Sequence, residues 1–149
     1  VKELSEYRES IIINREAKTM QAVLERPETI SVQDYFEDLK QGKNNLISCE
    51  QLEKELEKDP AGLYLLDIRK PEDFEKGHIE GAINIPWAEV GEYLEDLPKD
   101  QRIVVICYSG QTAGQLTGIM RLLGFRVCSL KGGMSCDQTF LPIQAGCAS

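Results

Sequence analysis

The stretch Ile103-Val104-Val105-Ile106 sets the strongest limit on what this chain can fold into. Four consecutive aliphatic residues, with Arg102 before them and Cys107 after, show no apolar–polar alternation, so a strand built from them is covered on both faces. Such a strand belongs in a parallel sheet sandwiched between helices. Leu63–Ile68, Ala82–Ile85 and Arg126–Leu130 are further short apolar runs bounded by turn residues. Helical patterns separate them. Ser48-x-x-Gln51 opens a helix with a capping box, carries Leu52 and Leu56, and stops at Pro60-Ala61-Gly62. Gln111–Leu123 sets Leu116, Ile119, Met120 and Leu123 on one side, with Gly124 as its stop. A last short helix follows Gly132-Gly133. From Leu46 onward the pattern predicts an α/β fold.

The first 45 residues read differently. Leu4, Tyr7, Ile11, Met20 and Leu24 fall at helix-compatible spacing over Val1–Arg26, and Pro27 interrupts. Ser31 caps a second helix through Lys40, with Val32, Tyr35, Phe36 and Leu39 on its apolar face. Residues 1–45 are therefore read as a helical extension suited to packing or partner contact, and residues 46–149 as the α/β domain. The chain opens at Val1 without a basic-then-apolar leader, the look of a trimmed chain, and the compartment, cytoplasmic or exported, stays open.

Charge narrows the function classes. Seventeen Lys and Arg stand against 25 Asp and Glu, a net charge of −8, which argues against a general nucleic-acid binder. The longest aliphatic run is far too short to span a bilayer, so a soluble protein is expected. The charge is uneven. Leu46–Asp100 carries six cations and fifteen carboxylates, a net of −9, whereas Gln101–Ser149 carries four cations and one carboxylate, a net of +3. With five cysteines, no CxxC pair and one histidine, no metal site is expected. Cys49, Cys128, Cys136 and Cys147 read as buried thiols. A disulfide among them has no assignable pairing, and an odd total leaves one cysteine unpaired within a monomer.

Cys107 is the exception. A buried strand ends on it, and Tyr108-Ser109-Gly110 turns directly into the helix at Gln111. Ligands of open α/β sheets bind beyond the carboxyl ends of the strands. Backbone N–H groups of such a turn, and the positive end of the following helix, favour thiolate over thiol. Gly110 permits a backbone conformation that a side chain would penalise.

Leu65-Leu66-Asp67-Ile68-Arg69, followed by Glu72-Asp73-Phe74-Glu75-Lys76-Gly77-His78-Ile79-Glu80-Gly81-Ala82-Ile83-Asn84-Ile85-Pro86, resembles the first signature of the single-domain rhodanese-like (sulfurtransferase) family. Leu130-Lys131-Gly132-Gly133-Met134 resembles the second, with the Cys107 loop between them, and the likeness runs over about Leu46–Ile143. It implies a five-stranded parallel sheet with helices on both faces. It implies that Cys107 takes sulfane sulfur as a persulfide from thiosulfate or a similar small donor and passes it to cyanide, a thiol or a protein. No cofactor is implied. The active loop is Tyr108, Ser109, Gly110, Gln111, Thr112 and Ala113. Related phosphatases use one more loop residue and an arginine clamp; this loop is short and has neither. Many active rhodaneses place Arg where this chain has Thr112. Losing that charged contact to thiosulfate costs on the order of 1.5–3 kcal/mol. The alternative reading is a non-catalytic interaction module on the same fold, and a third is a relay to a protein acceptor docked by the N-terminal helices. The resemblance makes His78 structural, bracing the loop around Asp67, and gives Asp67 and Arg69 a supporting role. Lys131 is a candidate anion contact, and the +3 of its segment favours an anionic donor at Cys107. Trp87 is read as packing. Cys136 reads as a smaller core residue, with sulfur acceptor from Cys107 as the alternative. The oligomeric state is not legible.

Overall fold

A computed structural model describes residues 29–139 and 141–146. The helix expected over Val1–Arg26 lies outside them. Ser31 does cap α1 (Val32–Lys40): its hydroxyl accepts from Asp34 N, and Asp34 returns the bond. Ser48 and Gln51 make the same reciprocal pair at the start of α2 (Cys49–Lys58).

Five short strands form one parallel sheet: β1 (Leu46–Ile47), β2 (Leu63–Asp67), β4 (Ile83–Asn84), β5 (Arg102–Ile106) and β6 (Val127–Leu130), in the order β1-β6-β5-β2-β4. β3 (His78–Ile79) pairs antiparallel with β7 (Ile143–Gln144) beside it. Among the described residues the two remaining α-helices are α3 (Pro71–Lys76) and α4 (Gln111–Leu122). The expected strands are one or two residues shorter than their apolar runs: Ile68 and Ile85 leave the ladder at its carboxyl end, and Ala82 and Arg126 at its amino end.

Successive residues of β5 serve opposite sides, as a two-sided strand must. Val104 and Ile106 join Leu52 of α2 and Phe74 of α3 in one core. Ile103 and Val105 join Ala113 and Met120 of α4, with Val90 and Leu97, in the other. All four β5 aliphatics are 0% exposed. Two expected apolar faces are not buried. Val32, Phe36 and Leu39 of α1 are exposed, and so is Ile119 of α4, a helix whose buried positions are Ala113, Thr117 and Met120. The first helix meets the domain through Tyr35 beside Gly118 and an Asp38–Arg121 ion pair at 2.9 Å. Among the described residues no helix is long and apolar enough to cross a membrane.

Candidate active site

The central strand β5 delivers Cys107 between the carboxyl ends of β2 and β6, with the thiol buried. Gly110 stands at φ +93°, and its N–H donates back to Cys107 Sγ at 3.0 Å. No side chain fits there: a Cβ would also sit 3.2 Å from Gly132 N. No side chain caps the start of α4, so its first turn presents bare N–H groups. Burial pushes the Cys107 thiol up. The Thr112 hydroxyl, then the N–H groups of Ala113, Gly110 and Ser109, outweigh it and hold the thiol below its ordinary value.

The loop is fixed from behind. Met134 N donates to Cys107 O at 2.8 Å and Ser135 N to Tyr108 O at 2.9 Å. The two polar groups of a trans peptide point opposite ways, so tying Tyr108 O outward turns Ser109 N–H toward sulfur. The backing segment comes so close that a Cβ on Gly133, at φ +54°, would collide with Cys107 O and stand 2.8 Å from Ser109 N.

That segment is tied in turn. Cys136 forms a disulfide with Cys49, the first residue of α2. Cys49 and Cys136 are thus not the buried thiols expected, and bonded Cys136 offers no thiol to receive sulfur. Cys107 and Cys128 are free and buried, and Cys147 lies outside the described residues.

Asp67 and Arg69 form a buried pair under the neighbouring strand end. Arg69 Nη2 donates to Asp67 Oδ2 at 2.7 Å and to Gly77 O at 2.8 Å, and Arg69 Nε reaches Asp67 Oδ1 at 3.0 Å. His78 touches neither. Its Nδ1 is 2.7 Å from Phe74 O, which fixes Nδ1 as the donor, and its ring stacks on Phe74 at 3.6 Å. It braces the end of α3, and meets the Asp67 pair only through adjacent Gly77.

A family model for the rhodanese-like domain matches residues 48–136. The chain belongs to the rhodanese-like family. Among the relatives of this rhodanese-like chain, the putative sulfurtransferase YtwF of Bacillus subtilis is 34% identical over 88 residues, 59% of this chain and 84% of that protein. The thiosulfate sulfurtransferase PspE of Escherichia coli is 33% identical over 76 residues, 50% of this chain and 73% of its own. The putative sulfur carrier protein YrkF of B. subtilis is 34% identical, but this chain spans only 43% of its length. Among solved structures, the rhodanese-related protein of Thermoplasma volcanium superposes with a TM-score of 0.54 at 27% identity, over 60% of this chain and 86% of that one. The Anabaena Alr3790 protein gives 0.61 at 26% identity, over 67% and 80%. Its sulfurtransferase relatives support sulfur transfer by the rhodanese-like domain in general terms.

Of the loop residues, Ser109, Gly110 and Ala113 contribute backbone N–H groups, and Thr112 its hydroxyl. Thr112 therefore turns its hydroxyl to the sulfur side, where it favours the thiolate. Ser109 and Gln111 expose their side chains. Tyr108 is exposed and spans the mouth: its hydroxyl donates to Asp73 Oδ2 at 2.6 Å and accepts from Lys70 N at 3.4 Å. Asp73 and Met134 stand inside the two signatures with no role read for them, and the backing by Met134 and Ser135 was not legible because backbone donors carry no residue signature. Trp87, read as packing, is 46% exposed beyond the end of β4. Lys131 is exposed at the carboxyl end of β6, on the Cys107 side. The other three cations of the +3 segment are elsewhere. Arg102 starts β5, Arg126 precedes β6, and Arg121 ends α4, which runs back from the loop. All three sit at the amino-end pole, about 16 Å down the strand from Cys107. The local positive balance therefore does not favour an anionic donor at Cys107 in the way its place in the sequence implied.

Proposed function

We propose that the chain is a sulfurtransferase working through a Cys107 persulfide, with residues 46–149 as the transferase domain and residues 1–45 as an extension. The reading rests on one observation above the rest, a buried cysteine whose sulfur faces several N–H donors and a hydroxyl, with Gly110 N 3.0 Å away. A thiolate held so needs no dedicated base. It attacks the outer sulfur of thiosulfate. A Cys107 S–S bond forms, the donor's S–S bond breaks, and sulfite leaves with the bonding pair. The persulfide keeps a negative terminal sulfur, which the same donors can hold. A thiophilic acceptor such as cyanide then attacks that sulfur, and the thiolate returns as leaving group. Lys131, exposed at the carboxyl end of β6, supplies a cation on the Cys107 side of the sheet, where the loop itself carries no arginine.

The test is intact mass after incubation with thiosulfate. One added sulfur, lost on cyanide treatment and missing in Cys107→Ser, is expected. No adduct with several donors would instead favour a non-catalytic interaction module, whose supporting observation is the lack of a loop arginine. Loading with very slow cyanide turnover would favour a protein acceptor, for which the exposed face of α1 offers a surface.

A further inference from the structure

Three of the four cations in the positive segment lie away from Cys107, and they meet at one place. A concavity of about 510 Å³ at the amino ends of β5 and β6 is lined by Lys43, Asn44, Asn45, Arg102, Arg121 and Arg126, with Leu46 and Val127 in its wall. Among the described residues no carboxylate lines it. In a chain of net charge −8, a hollow of this composition is an electrostatic anomaly.

The carboxylates that reach the cluster do so from outside and leave it incompletely neutralised. Asp38 bonds both Lys43 at 2.9 Å and Arg121 at 2.9 Å, and Glu55 takes Arg102 at 2.8 Å. Among the described residues, four cations against two carboxylates leave a surplus of two positive charges. An adjoining cleft that shares Arg102 and Arg126 adds Lys58 and Asp59, which cancel. Arg126 forms no salt bridge among the described residues and keeps its guanidinium free. Arg121 Nε is buried with no hydrogen-bond partner among them, a donor of the kind that native proteins seldom leave unmet. Asn44 and Asn45 add amide donors at the rim.

We propose that this concavity is a binding site for a phosphate-bearing small molecule, remote from Cys107. Surplus charge of two matches a phosphate monoester or free phosphate, whose charge near neutrality is about −1.5 to −2. Planar guanidinium groups supply the forked donors that phosphate oxygens accept. The volume accommodates an organic portion as well, with Leu46 and Val127 as its apolar wall. An open hollow with two surplus positive charges matches one phosphate group, whereas a nucleic acid needs a longer run of cations.

The test is a ¹⁵N–¹H titration in a non-phosphate buffer at low salt, with inorganic phosphate, adenosine monophosphate and adenosine as probes. Saturable shifts are expected at the amides of Asn44–Leu46 and Arg126–Cys128 with both phosphates and not with adenosine. Equal affinity for the two phosphates identifies free phosphate as the ligand, and tighter binding of the ester identifies a phosphorylated metabolite; either supports the site. Arg126→Gln should weaken binding by about tenfold or more. Because Arg126 is exposed and unpaired, that variant should keep the wild-type spectrum elsewhere and load sulfur on Cys107 normally. The proposal is overturned by the absence of saturable shifts at millimolar phosphate, by shifts centred on Ser109–Ala113, by equal response to adenosine, or by unchanged affinity in Arg126→Gln. Sulfur loading is read separately, so failure of the anion site and failure of the persulfide reading give different results.

Discussion

Removing the Cys49–Cys136 bond should lower stability more than any single surface change. The bond joins residues 87 positions apart, and the closed loop contains β2, β5, α4 and β6. For a loop of that length the chain-entropy relation gives about 4.6 kcal/mol at 25 °C, and removal of native disulfides typically costs 2–5 kcal/mol. The variant to use is Cys49→Ala with Cys136→Ser. Position 49 is buried and accepts a small apolar group, whereas position 136 is partly exposed and tolerates a hydroxyl. A loss of about 3 kcal/mol corresponds to a fall in Tm of roughly 10–15 °C for a domain of this size. Urea unfolding followed by circular dichroism should give a lower midpoint. It should also give a larger m value, because the unlinked denatured chain exposes more surface. Thiol titration of the denatured, oxidised wild type should find two fewer thiols than the reduced chain. Equal thiol counts in the two forms, or an unchanged Tm in the variant, would refute the reasoning. The effect should also reach the sulfur site. Cys136 anchors the segment whose Met134 and Ser135 N–H groups fix the Cys107 loop, so the variant's Cys107 should alkylate with a midpoint at higher pH than the wild type.

Four further outcomes follow from the geometry. Alkylation of Cys107 against pH should show a midpoint below that of an ordinary thiol, near 8.5, because the depressed value keeps the reactive thiolate populated as pH falls until it is passed. Thr112→Val should move that midpoint up by about half to one pH unit, the equivalent of one hydrogen bond of 0.5–1.5 kcal/mol; an unmoved midpoint would remove Thr112 from the sulfur's donors. Asp67→Ala leaves the Arg69 guanidinium buried without its carboxylate and should cost about 3–5 kcal/mol in urea unfolding; a loss under 1 kcal/mol would show that water reaches the pair. Gly133→Ala must push the backing segment off Cys107 O, so the mass adduct with thiosulfate should be lost or greatly slowed even where circular dichroism shows a folded chain, and normal loading would contradict the close approach.

The fold was largely legible because its determinants are local. The unbroken Ile103–Ile106 run, the Ser31 cap, the Ser48 capping box and the Gly124 stop each act within a few residues, and each appears where expected. Cys107 and Gly110 were legible for the same reason. What escaped depends on contacts distant in sequence. Cys136 meets Cys49 only after β1 and β6 pair side by side. The backing of the loop by Met134 and Ser135 uses amides that every residue has. The charge of the last third was read correctly as a count and misplaced in space, because β5 and α4 run in opposite directions and carry Arg102 and Arg121 to the far pole. Thr112 was judged by the arginine it replaces, although its hydroxyl has a task at the sulfur.

Around Cys107, the groups that hold the sulfur belong mostly to the main chain, while the side chains of Tyr108, Ser109 and Gln111 face solvent. Chemistry and choice of partner are thereby written in two separable layers of the same loop. Exchanging the outward side chains alters what can approach the terminal sulfur, yet leaves intact the amides that hold it. Given Gly110, Gly133 and the two amides behind, the mouth can be rewritten for a new acceptor without relearning sulfur transfer. A swap of positions 108, 109 and 111 for those of a relative is accordingly the shortest route to a changed acceptor on an unchanged reaction.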